Sequence, residues 1–300
     1  MLPVRLRRRA SGVLQIGPGT GRPSKLAAAS IAGFMVVAVT LLSGCSSHLE
    51  RAKLYYSEGQ ALSRDSRTEP ATASFKRALI EAEKAARSGG SAQAFMVKGL
   101  AEAGLERWAD AETSFLRAST LGFPEGQEWA GDVARLGLAS SLAELGLEDA
   151  ALRALEGLLD KAAFKQVVPE AARRYLELNL ARASGVDARE NEKTMAAAVG
   201  ELEKLVERNY AAGYYHYLLS QAESHRGNHR RSFEEAVMAR ELGLQTSNVL
   251  RDNDLQIIYC RQALQKSLGH DEWRDFEALY GRWVKKWGWK DALTPGWKKE

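Results

Sequence analysis

Little in this 300-residue chain can cross-link it or stiffen it locally. It has two cysteines, Cys45 and Cys260, too few for the disulfide framework of a small secreted domain. Prolines number seven, and no stretch alternates apolar and polar residues for long, which argues against a sheet. Charge bias is missing as well, once the N-terminal stretch is set apart. Residues 1–44 carry six basic residues and no acid, which leaves 36 basic against 38 acidic residues from Cys45 onward. The formal charge of +4 therefore resides in that stretch, and the remainder offers no electrostatic case for a nucleic-acid partner.

What the first 44 residues do contain is an order. Arg5, Arg7, Arg8, Arg9, Arg22 and Lys25 precede an uncharged run, Leu26 to Leu42, and small residues follow it. Basic, apolar and small segments in that sequence form the layout of a cleaved secretory signal; a run of 17 residues is also the lower limit for a membrane-spanning helix. The run ends in "LSGC", Leu42 to Cys45, which resembles the lipobox of bacterial lipoproteins. That resemblance implies cleavage before Cys45, with diacylglycerol on its sulfur and an acyl chain on the new N-terminus as the only prosthetic group. Several acyl chains on one residue make a durable anchor where one is marginal. Ser46, rather than an aspartate, resembles the sorting signal of outer-membrane lipoproteins and implies the periplasmic face of that membrane. Cys260, left without a partner, is expected to be a small core residue.

Downstream of Cys45 the composition is helical, rich in alanine, leucine and glutamate. Self-similarity is the informative signal. Tyr55, Gly59, Ala71, Phe75 and Ala78 recur forty places on as Phe95, Gly99, Ala111, Phe115 and Ala118, and a third copy continues with Ala139, Ala151, Leu155 and Leu158. Each copy reads as two antiparallel helices. Glycine inside a helix costs about 1 kcal/mol relative to alanine, so Gly59 and Gly99 need an offset, expected from close approach of the second helix at Ala71 and Ala111. This spacing of large and small residues resembles the tetratricopeptide repeat. Departures are a period of 40 instead of 34, a first turn lengthened by "RDSRTEP", and Arg135 where a large apolar residue belongs. A fourth unit with an inserted loop, "SGVDAREN", places Ala198, Leu202 and Leu205 on its second helix. A fifth turns at Gly227 and puts Ser232 34 residues after Ala198.

The expected fold is an all-α solenoid of antiparallel helix hairpins. The expected divisions are a signal peptide over 1–44, a lipidated start and short linker over 45–50, repeats over 51–250, a capping hairpin over 251–287 turning at Gly269, and a Trp/Lys-rich tail over 288–300. Solenoids leave a concave face for a partner. The resemblance implies a groove lined by the first helix of each unit, falling on Lys53, Tyr56 and Gln60, on Gln93, Met96, Val97 and Leu100, and on Tyr214, Tyr217, Leu218 and Gln221. Packing between repeats is an equally open role for each of these.

Catalytic signals are sparse, and an enzyme is not expected. His225 and His229 are spaced i, i+4, but Gly227 between them marks a turn, so two solvated histidines are expected and no metal site. Five of the seven tryptophans fall in the last 28 residues. Trp273 and Trp283 suit a cap, whereas Trp287, Trp289 and Trp297, interleaved with lysines, suit an exposed aromatic tail. The composite expectation is a membrane-anchored lipoprotein that binds envelope proteins or their peptide segments as a scaffold or adaptor, with no small-molecule substrate and no cofactor. The alternative is a glycan- or cell-wall-binding lipoprotein using the tail tryptophans.

Overall fold

A computed structural model describes residues 47–288. The signal segment, Cys45, Trp289 and Trp297 lie outside that range. Every regular element among the described residues is helical. Twelve helices follow in order: α1 His48–Arg64, α2 Thr68–Gly89, α3 Ala92–Gly104, α4 Trp108–Leu121, α5 Glu128–Glu144, α6 Glu148–Lys161, α7 Val168–Ser184, α8 Ala188–Arg208, α9 Gly213–His225, α10 His229–Leu242, α11 Ser247–Ser267 and α12 His270–Trp283. A 3-10 turn, Lys165–Val167, leads into α7, and a wider π-turn, Val284–Gly288, closes the described chain. Odd and even helices pair as hairpins, and each hairpin packs on the next, so the expected all-α solenoid is what the chain forms.

Local chemistry sets the helix ends. Ser47, Ser91, Asp187 and Thr246 stand just before α1, α3, α8 and α11, and their side chains accept hydrogen bonds from first-turn amides, which satisfies donors that no helical carbonyl can reach. Inside four of the six hairpins the turns are nearly identical. Arg67, Arg107, Leu147 and Asn228 each donate a backbone N–H to the carbonyl five residues earlier at 2.9 Å, the six-to-one closure that ends a helix with a left-handed residue. That left-handed residue is Gly146 or Gly227 in two turns, but Ser66 (φ 59°) and Glu106 (φ 60°) in the others. A side chain in that region costs about 1–2 kcal/mol. We expect Glu106→Gly to stabilise the protein by about 1 kcal/mol, read as a higher urea midpoint at unchanged slope.

These turns correct two expectations about the repeat. The first turn is not lengthened: only Asp65 to Arg67 separate α1 from α2, as three residues separate α3 from α4. Pro70 sits in the first turn of α2, where its missing N–H costs nothing, and "RTEP" joins the helix. The surplus over 34 residues extends α2 to Gly89 and, after α4, forms the loop from Gly122 to Gln127. Nor is a loop inserted in the fourth hairpin. Gly185 to Asp187 alone separate α7 from α8, because Asp187 caps the stretch that reads as polar loop. Counted from the turns at 66, 106, 146, 186 and 227, the spacing stays near forty, and Ala198 stands in the register of Ala78 and Ala118. The 34-residue interval from Ala198 to Ser232 is therefore coincidental.

The offset for the helical glycines also differs from expectation. A methyl group on Gly59 would lie 2.7 Å from the Phe75 ring, and one on Gly99 2.9 Å from the Phe115 ring. The close partner is the phenyl ring, not Ala71 or Ala111. Each ring is clasped from the other side by a glycine of the following hairpin, Gly104 for Phe75 and Gly137 for Phe115. Two flat glycine surfaces thus admit one ring between three helices, which recovers through burial what the glycines lose in propensity. Arg135 leaves the third hairpin in register by pointing outward, where it pairs with Asp132 at 3.0 Å. In the first two hairpins the same position is Tyr55 or Phe95, covered by Arg77 or Arg117 at 5.9 Å; the third has Gly157 in place of that arginine, so both members of the pair are exchanged together.

Buried apolar residues form two clusters. The larger runs from Ala52 to Ala222 and takes Ala239 of α10. The smaller joins Phe233 and Ala236 of α10 to Ile257, Cys260, Leu264, Phe276 and Trp283. Cys260 is a fully buried core thiol, Trp283 is buried in the same cluster, and Trp273 packs half-buried against it.

Candidate functional site on the concave face

The residues assigned to the groove are buried to different degrees in each hairpin. In the first two, Tyr56, Gln60, Met96, Val97 and Leu100 are all buried, the last three at 1% exposure or less. They are core residues here, a correction with a steric cause. The odd helices α1, α3 and α5 touch one another in turn, and these side chains are enclosed between them and the even helices behind. Tyr56 packs on Phe75 with ring centroids 5.7 Å apart, and burial raises its pKa. Lys53 pairs with Glu50 at 2.9 Å, and the Gln93 amide donates to Gln127 at 2.8 Å. Both are half-buried and already engaged.

In the fifth hairpin Tyr217 and Leu218 are buried too, Tyr217 at 7% exposure, while Tyr214 and Gln221 remain half-buried at the edge of the core. Tyr214 and Tyr217 lie one turn apart on α9 with ring centroids 5.9 Å apart, and Gln221, a turn further on, donates to the Tyr217 hydroxyl at 2.8 Å. Leu218 points into the core. Burial, and then the nearby charge of Asp252 on α11, push the Tyr217 phenol up to about 12, so it stays a protonated donor. The Tyr214 phenol is raised further by burial, opposed by Arg173 of α7. Arg173 forks onto Glu170 at 2.6 and 3.0 Å and also binds Glu177, while Arg174 reaches Glu170 at 3.3 Å. Three consecutive odd helices, α7, α9 and α11, therefore bring two tyrosines, an amide, a fixed guanidinium and the carboxylates of Glu177 and Asp252 to one face. Such a surface can stack on apolar or aromatic side chains and hydrogen-bond an extended backbone. Arg173 and Glu177 were not anticipated, although the i, i+3 and i, i+4 spacing of Glu170, Arg173, Arg174 and Glu177 is itself a signal of a fixed ion network.

Beside this face His216 is 2% exposed. Its Nε2–H donates to the Tyr210 carbonyl at 2.9 Å and its Nδ1 lies 2.7 Å from Glu235, so a second ring proton completes an imidazolium–carboxylate pair. Burial opposes the charge, but the Glu235 and Tyr210 hydrogen bonds outweigh it and raise the pKa. Arg231, 3.9 Å from Glu235, is the other charge facing the pair. A raised folded pKa contributes stability that is complete below about pH 6.5 and fades as pH climbs through the folded value. We expect the urea midpoint of the protein to fall as pH rises above about 6.5, and that fall to vanish in His216→Gln.

The remaining assignments are relocated or outside the described range. Trp287 is not a free aromatic: its indole N–H donates to Glu241 at 3.0 Å, and the Arg240 guanidinium covers its ring at 4.8 Å. Trp289 and Trp297, like Cys45, fall beyond the described residues. His229 is half-buried rather than solvated, its ring edge-on to Tyr259 at 5.6 Å, and burial lowers its pKa. Among the described residues no group of three or more histidine, cysteine, aspartate or glutamate side chains could hold a metal ion, and no helix is long and apolar enough to cross a membrane.

No protein-family model and no curated protein matches the chain. Among solved structures it is similar to YrrB, described as a TPR protein with an unusual peptide-binding site, at 18% identity and a TM-score of 0.37, covering 66% of this chain and 89% of that one. It is similar to pilF of Pseudomonas aeruginosa at 15% identity and 0.42, covering 77% and 98%, and to Acl4, an assembly chaperone of RpL4, at 12% identity and 0.40, covering 78% and 97%. By its own hairpin geometry the fold is a tetratricopeptide-like solenoid. The face on α7, α9 and α11 is read from its own residues.

Proposed function

We propose that the protein is a lipid-anchored adaptor of the cell envelope that holds a segment of a client protein on the concave face of α7, α9 and α11. The observation that carries this reading is the convergence of Tyr214, Tyr217 and Gln221 with Arg173 across neighbouring hairpins. The mechanism is positional rather than chemical. Lipid on Cys45 would keep the solenoid at the periplasmic side of the outer membrane, raising its effective concentration toward other membrane components, while the tyrosines supply rigid contact area at low entropic cost. Placing p-benzoylphenylalanine at Tyr214 in cells should give discrete crosslinks to an envelope protein, and Arg173→Glu should abolish them. Absence of crosslinks at 214, or the same adducts from a probe at Arg230 on the opposite face, would refute the groove. Cys45→Ser should move the protein out of the membrane fraction if the anchor is correct.

A further inference from the structure

The even helices form the outer face of the stack, and their exposed residues change character along it. On α2 every exposed residue from Ala73 to Arg87 is basic, apart from Ala73 and Ile80. The bases are Lys76, Arg77, Lys84 and Arg87. On α4 the exposed stretch from Thr113 to Leu121 has Arg117 and no acid, and the exposed acids of the two helices, Glu69 and Asp110, stand in their first turns. The same surface exposes Ile80 at 51%, Leu116 at 47% and Leu121 at 42%. Later even helices lose this pattern: α6 exposes Glu148, Asp149, Glu156 and Asp160 against Arg153 and Lys161, and α10 exposes Glu234 and Glu241 against Arg230.

Acids near α2 do not cancel its charge. Glu81, which Lys84 touches at 2.7 Å, is buried and is also held by Arg51 and His48, each at 2.8 Å. Hydrogen bonds from Lys84, His48 and Arg51 hold its carboxyl down at about 2, so one buried acid is shared among three bases. Arg87 meets the half-buried Glu83 only at 3.7 Å, and Lys76 is exposed.

We infer that the outward face of α2 and α4 docks on an anionic lipid surface. Lysine and arginine stems lie along apolar surface while their charged ends reach anionic headgroups, and isolated isoleucine and leucine side chains among them enter the headgroup boundary. Interleaved aliphatic and cationic side chains, with the exposed acids kept to the first turns, suit that interface. The inference gains from the proposed anchor, since α1 begins three residues after Cys45, but the face stands on its own composition.

The test separates the two readings by using the full chain with Cys45→Ser, which carries no lipid whether or not the anchor is correct. Its partitioning into vesicles of phosphatidylcholine with phosphatidylglycerol is compared with that into phosphatidylcholine alone at 0.1 M salt, as roughly one Debye length of screening. The leader is the same in every variant, so differences report the face. Lys76→Glu and Arg87→Glu should each lower the anionic-to-zwitterionic ratio about fivefold or more, the effect of one basic residue at such a surface. Ile80→Ser should weaken binding further, and Arg153→Glu on α6 should leave it unchanged. Melting curves of these exposed-site variants should overlay the parent's. Equal partitioning of the parent and the combined Lys76→Glu, Arg87→Glu variant, an equal loss in Arg153→Glu, or binding to a soluble polyanion but not to vesicles would overturn the inference.

Discussion

Phe115→Ala should cost about 3–5 kcal/mol of stability, read as a lowered urea midpoint. The ring is fully buried and touches glycines on both sides, so truncation opens a space that the two flat helix surfaces cannot collapse to fill. The reciprocal change tests the same clasp from outside. A methyl group on Gly137 would stand 2.3 Å from the tip of the Phe115 ring, and overpacking of that kind costs about 1–3 kcal/mol. Helix propensity pulls the other way by about 1 kcal/mol for glycine to alanine. Contact should win, so Gly137→Ala should be destabilising in the parent. Placed on Phe115→Leu, where the ring tip is gone, it should become neutral or stabilising. Additivity of the two changes would show that ring and glycine do not share one space.

Asp254→Ala should cost about 3–5 kcal/mol, with the loss concentrated in α10 to α12. Asp254 is 1% exposed and lies 3.4 Å from Arg240, itself nearly buried between this carboxylate and the Trp287 ring. Removing the carboxylate leaves a guanidinium in a site with little water, which is far worse than never having placed a charge there. Asp254→Asn keeps the shape and some of the hydrogen bonding and should lose less. Arg240→Met with Asp254→Leu should recover most of the stability, because apolar residues of similar volume replace a buried pair at little cost. Hydrogen exchange resolved by helix would localise the effect. Equal loss of protection across α1 to α6 would contradict this account.

How far these features can be read from the sequence depends on the range of the interaction. The hairpins were legible because Gly59, Phe75 and their copies keep register, and a repeated contact leaves a repeated letter. The concave face was legible only at Tyr214, Tyr217 and Gln221. At Met96 and Leu100 the sequence cannot distinguish a groove from a helix contact, since both call for apolar side chains, and the approach of α1, α3 and α5 decides between them. The polar stretch from Ser184 to Asn191 misled for a local reason: one cap at Asp187 turns charged residues into the first turn of a helix. Trp287 misled for a distant one, its partners Arg240 and Glu241 being more than forty residues away in sequence.

The division of the interior at α10 has a mechanical meaning. Ala239 serves one cluster, while Phe233 and Ala236, on other turns of the same helix, serve the second. Cohesion therefore comes in two parcels joined chiefly through one rod, with a smaller seam where Val249 and the rest of α11 meet the first parcel and α9. A tug on the far end therefore reaches the tyrosine face through α10 and α11 together, and only afterwards the clasped rings upstream.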